Sequence, residues 1–164
     1  MQMSRLIPWA ALIAATLTWA CETRPPSSAA SAAKFISTLS EQSPRHDGVP
    51  LRTYEIRDLD HDGKLEVLEH ISAYEDVPGF LNVEIENAFE WINVYREKDS
   101  RFVEATKEFS WFLTERKAHY QFWLRVLEHL DVLNEDSRKL VEENKEHFRE
   151  VLSGYLQKLN QLSR

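Results

Sequence analysis

Asp58, Asp60 and Asp62 stand at alternate positions and are followed by Gly63, Lys64, Glu66 and Glu69 in a single short segment. Calcium is a hard cation that takes about six to eight oxygen ligands. A tight turn with carboxylates at every second residue presents several of those oxygens from one side. Gly63 permits the backbone reversal that brings the later residues back toward the ion. Lys64 would supply its carbonyl oxygen rather than its ammonium group. Glu66 reaches the ion directly or through water, and Glu69 can chelate with both oxygens. Leu65 is the expected apolar anchor beneath the loop, and His61 falls at a position that contributes no ligand. Asp58 to Glu69 fits D-x-[DN]-x-[DN]-G-x₅-E at every defined position. The five acids carry only Lys64 among them to offset their repulsion, which opposes a compact turn unless a cation is present. The plainer alternatives are a solvated acidic turn, since Asp and Gly are ordinary turn residues, and an ion that serves only as a staple.

These residues resemble the calcium loop of the EF-hand family. They equally resemble the bacterial FG-GAP or VCBS type of repeat, in which the same spacing joins two β-strands. The resemblance to the β-type extends through Glu90–Arg96 (EWINVYR) and Arg101–Phe109 (RFVEATKEF), which look like hairpin strands. It implies that Asp58, Asp60, Asp62, the Lys64 carbonyl and Glu66 hold the ion, with Glu69 optional. An EF-hand needs about ten helical residues before Asp58, whereas Gly48 and Pro50 leave room only for Leu51–Arg57. A single loop excludes a complete propeller.

The elements that must position the loop are legible in periodicity. Lys34–Ser40 suits a short helix, and Glu41–Pro50 reads as loop. Thr53–Ile56, Leu65–Ala73, Val83–Ile85, Glu90–Arg96 and Arg101–Thr106 are strand candidates, giving a small antiparallel sheet of about four strands. From Glu108 to Leu130 the apolar spacing changes to three and four. Phe109, Phe112, Leu113, Tyr120, Trp123, Leu124 and Leu127 form one stripe, and Trp111, Ala118, Phe122 and Val126 a second. Asn134, followed by Glu135 and Asp136, is a helix cap with first-turn acids. The last helix carries Val141, Phe148, Val151, Tyr155, Leu159 and Leu162 on one face, with Gly154 inside the pattern. Strands followed by two helices give an α+β fold: residues 34–107 mainly β with the loop at 58–69, and residues 108–164 an antiparallel helical hairpin. The two aromatic stripes predict core packing, or a face left open for a protein partner or self-association.

The N-terminus reads as an address. Leu6–Ala20 is apolar and uncharged after the weakly basic Met1–Arg5, too short for a membrane span and suited to a signal peptide over residues 1–20. Ala20 before Cys21, the chain's single cysteine, resembles the cleavage and lipidation site of bacterial lipoproteins, although Thr18 and Trp19 depart from its pattern. That resemblance implies a lipid on Cys21, a membrane anchor and a place in the cell envelope. Ordinary secretion and an uncleaved anchor are the alternatives, and all three export the chain. Residues 21–33, rich in Pro, Ser and Ala, read as a flexible tether after the lipid.

Composition narrows the classes further. The 164 residues allow one domain with a real core, and the net charge of −7 without a basic run excludes a nucleic-acid surface. The histidines show no metal-ligand spacing, Ser153-Gly154 lacks the frame of a nucleophile turn, and four glycines form no phosphate loop. No catalytic residue is assigned. The expectation is an exported calcium-binding module. An envelope hydrolase or accessory subunit with a structural calcium, and a calcium-responsive true EF-hand, are the alternatives.

Overall fold

Two tight turns and one long loop shape the β part of the chain. The computed structural model describes residues 29–75 and 86–163. Helix α1 (Ala29–Gln42) leads into a two-residue-strand hairpin of β1 (Arg45–His46) and β2 (Val49–Pro50). Asp47 and Gly48, at φ of 49° and 82°, make its turn. Then β3 (Thr53–Arg57), β4 (Glu66–Ser72), β5 (Glu90–Lys98) and β6 (Arg101–Glu104) form a four-stranded antiparallel sheet in chain order. Asp99 and Ser100, at φ of 49° and 62°, join β5 to β6, and such positive-φ pairs match the natural twist of hairpin strands. The expected sheet is therefore present, in an α+β arrangement that ends in the helix pair α2 (Ser110–Val126) and α3 (Glu135–Leu162). The strand expected over Val83–Ile85 and the signal and lipidation segments lie outside the described residues.

Both faces of the central strands are covered. Val67, Leu68, Glu66 and Glu69 are consecutive on β4 and all buried. Leu68, Ile92 and Val94 pack with Leu59, Ala105, Phe109 and Phe112, placing one apolar cluster beneath the acidic loop and the start of α2. On the other face Phe35 of α1 stacks on Phe102 with centroids 4.9 Å apart and meets Tyr95 edge-on at 5.1 Å. Helix α1 starts at Ala29, so the last residues of the expected tether are helical. Alanine is the best helix former, and Ala32 is fully buried.

The helical hairpin closes the end of the sheet through a second cluster. Phe148 stacks on Phe89 at 4.4 Å, and Tyr120 and Tyr155 lie 5.0 Å apart beside Trp91. Helix α2 is shorter than the apolar spacing predicts, because 3₁₀ turns at Thr106–Glu108 and Leu130–Val132 take its ends. Its first stripe is largely buried. From the second, Trp111 and Phe122 are 43% and 50% exposed while Val126 is buried. Asn134 caps α3 as expected, its side chain accepting from the Ser137 amide at 2.8 Å. Helix α3 bends at Asn144, whose φ of −126° interrupts the helical backbone and whose Nδ2 donates to the Leu140 carbonyl at 2.9 Å.

Gly154 lies in an unbroken stretch of α3 with nothing within 4 Å of an added Cβ. Gly154→Ala should therefore stabilise the fold by about 0.5–1 kcal/mol, whereas Phe148→Ala should cost about 3–5 kcal/mol. Urea unfolding of both variants checks the pair. Destabilisation by the alanine at 154 would contradict the open helical setting.

Candidate metal centre

Residues 58–65 are the connection between β3 and β4, whose ladder closes on the Arg57–Glu66 pair. Strands stand on both sides of the loop, so the helix-loop-helix alternative does not hold. Gly63 has a φ of +81° with open space around it, so its backbone conformation, not crowding, favours glycine there. His61 also takes a left-handed φ of 60° and is exposed, as a non-ligand position requires. The aspartates shape the loop by accepting from its amides. Asp58 Oδ2 accepts from Gly63 N at 3.1 Å, Asp60 Oδ1 from Asp62 N at 3.3 Å, and Asp62 Oδ1 from Lys64 N at 2.8 Å. That last bond, helped by the nearby Lys64 and Arg96 charges, holds the Asp62 carboxyl below its usual range against a small desolvation cost.

Three of the expected ligands converge. One carboxylate oxygen from each of Asp58, Asp60 and Glu66 lies within 4.8 Å of the others. Two oxygens on opposite sides of a calcium ion stand about 4.6–5.2 Å apart, so the group fits a single ion without rearranging the backbone. Glu66 is fully buried, with its Oε2 accepting from the Leu59 amide at 2.8 Å. Asp58 Oδ1 is shielded from solvent and has no hydrogen-bond partner among the described residues. An orphaned, buried anionic oxygen is costly and is the atom a cation would satisfy. The acidic group can hold a metal ion.

Asp62 and Lys64 stand beside this group rather than in it. Asp62 spends its second oxygen on the Lys64 ammonium at 3.1 Å. Leu59, not Leu65, is the buried anchor: Leu59 is in the apolar cluster, while Leu65 is only half-buried.

Glu69 requires correction. On a helix, residues three apart share a face, but on a strand they point to opposite faces. Glu66 and Glu69 are both on β4, so Glu69 turns away from the loop. It is 2% exposed and bonds to Arg52 at 3.1 Å, Asn93 Nδ2 at 3.0 Å and the Tyr95 hydroxyl at 2.7 Å. Arg52 continues the network to Glu75 at 2.7 Å. Burial, and then the Glu69 carboxylate, push the Tyr95 hydroxyl pKa up, as expected for a phenol donating to a buried anion.

Arg96 belongs to the centre although loop spacing does not point to it. It lies directly across from Glu66 in the β4–β5 register, and its Nε donates to Glu66 Oε1 at 3.0 Å. Its Nη2 pairs with Asp60 Oδ2. The group also lies over the Phe109 ring, 4.5 Å from the centroid. Burial works against the Arg96 charge, yet the bonds to Asp60 and Glu66 more than offset it and its pKa rises. In sequence Arg96 is only the one basic residue of the strand candidate Glu90–Arg96, and its place opposite Glu66 is set by the sheet register.

No family model, curated protein or solved structure matches the chain.

The two glutamates separate by experiment. Glu66→Gln should abolish the rise in melting temperature caused by a divalent cation. Glu69→Gln should lower stability by roughly 1.5–3 kcal/mol through its lost charged hydrogen bonds, while leaving that rise intact. A folded Glu69→Gln variant that no longer responds to the cation would return Glu69 to the ion.

Proposed function

We propose that this chain is a calcium-binding module of the bacterial cell envelope, anchored by a lipid on Cys21, in which the ion clamps the β3–β4 loop. The observation that carries the reading is the convergence of Asp58, Asp60 and Glu66 with one buried carboxylate oxygen left unsatisfied. An all-oxygen group suits calcium better than zinc, which favours nitrogen and sulfur. Magnesium demands a stricter octahedron and keeps several waters, so a loop offering carboxylates and carbonyls suits it less well. Asp62 and the Lys64 carbonyl complete the shell by small movements of the loop.

The address supports the same reading. The apolar run Leu6–Ala20 followed by Cys21 favours export, and exported modules meet calcium near millimolar, where weak sites fill. Among the described residues no helix is long and apolar enough to cross a membrane. The ion serves the fold as a staple, and the exposed Trp111 and Phe122 leave one face of α2 open to a protein partner.

Calorimetric titration with calcium tests this directly. Heat of binding is expected for the wild type and none for the triple Asp58, Asp60 and Asp62 to Ala variant. At a calcium concentration a hundredfold above Kd the wild type should gain about 2.7 kcal/mol of stability. Equal heats and equal melting temperatures for the two proteins would overturn the calcium reading. The anchor has its own test: Cys21→Ser should leave the precursor unprocessed or release the protein from the membrane fraction, and a change in neither favours ordinary secretion.

A further inference from the structure

We propose that Arg96 is a tethered cation of the acidic loop, that an arriving divalent ion must displace it, and that Arg96 thereby sets the affinity of the site. The inference rests on the calcium reading above. Two of the three converging carboxylates, Asp60 and Glu66, already have the Arg96 guanidinium between them. Arg96 is only 18% exposed at its side chain, so its charge sits inside the centre rather than at its rim. A doubly charged ion among the same carboxylates would stand a few ångströms from that guanidinium, and two cations so close in a shielded site repel strongly. One must leave.

The geometry gives each cation a distinct advantage. A planar fork engages two carboxylates well, but it leaves Asp58 Oδ1 without a partner among the described residues. A spherical dication accepts oxygens from all directions and satisfies Asp58, Asp60 and Glu66 together. The displaced guanidinium keeps the aromatic face of Phe109, which stands just before α2. Glu66 needs a positive partner in either state, because its carboxylate is fully buried. Arg96 thus keeps the loop folded when calcium is scarce and lowers the apparent affinity when calcium is abundant, which suits an environment where the ion is plentiful.

The experiment compares calcium titrations of the wild type, Arg96→Gln and Arg96→Lys in the full chain, with melting temperatures at zero and saturating calcium. Arg96→Gln should bind calcium about tenfold tighter, corresponding to roughly 1.4 kcal/mol. It should melt lower than the wild type without calcium and recover with it. Arg96→Lys, which keeps the charge but loses the fork, should fall between, and it remains informative if the glutamine variant folds poorly. In the wild type the Arg96 Nε–H resonance should shift on calcium saturation. Binding by Arg96→Gln alone would mean that the wild-type loop keeps its arginine and takes no calcium, which would overturn the exchange. Wild-type binding with equal or weaker binding by both folded variants, or with an unmoved Arg96 resonance, would overturn the exchange and leave the calcium reading standing. Binding by none of the three would overturn both.

Discussion

A carboxylate with no exposure, Glu66, opens β4, one of the two central strands of the sheet. An ionised carboxylate taken out of water costs several kcal/mol unless opposite charge and hydrogen bonds replace its hydration. The surrounding structure is arranged to supply both. The Leu59 amide binds one oxygen, which fixes the first turn of the loop and seats Leu59 in the apolar cluster. The Arg96 guanidinium binds the other, which ties the loop to β5 and through Phe109 to the start of α2. Asp58 and Asp60 then share the same small volume. The negative charge gathered there exceeds what one guanidinium offsets, and that surplus is the physical basis of a cation site.

The pleat of β4 explains why the chain carries two buried acids with different roles. Glu66 and Glu69 point to opposite faces, so each is compensated by its own arginine, Arg96 on one side and Arg52 on the other. The Arg52 network also holds Glu75, Asn93 and Tyr95, and Trp91 donates to Asn93 at 2.8 Å. It joins Arg52, just before β3, to β4 and β5 on the face that α1 covers. One acid closes a loop that an ion can fill, and the other is a satisfied internal ion pair.

Much of this was legible before any coordinates. Alternation marked β3 to β6, the change of apolar spacing marked the helix pair, and Asn134 declared the cap of α3. The flanks of the loop, too short for a helix, pointed to strands. What sequence spacing could not give were contacts made across strands. Arg96 reaches Glu66 from thirty residues away, through a register that only the folded sheet sets. Glu69 belongs with the ion only where the twelve-residue pattern exits into a helix, on which the last two acids share a face; in the strand setting it is optional, and on β4 it faces away from the loop. Helix α1 began earlier than expected because alanines after a Pro-Ser stretch resemble a spacer, although Ala32 has a sheet to pack on. Leu59 replaced Leu65 as the anchor because the bond from its own amide to Glu66 turns its side chain inward.

The most direct test of the account is a crystal structure grown in millimolar calcium, with anomalous scattering used to locate the ion. The account predicts one peak bonded to Asp58, Asp60 and Glu66 at about 2.3–2.6 Å, Glu69 still bonded to Arg52, and Arg96 turned out of the loop. A loop without a peak, with the Arg96 guanidinium still clasping Asp60 and Glu66 at that calcium concentration, would contradict it.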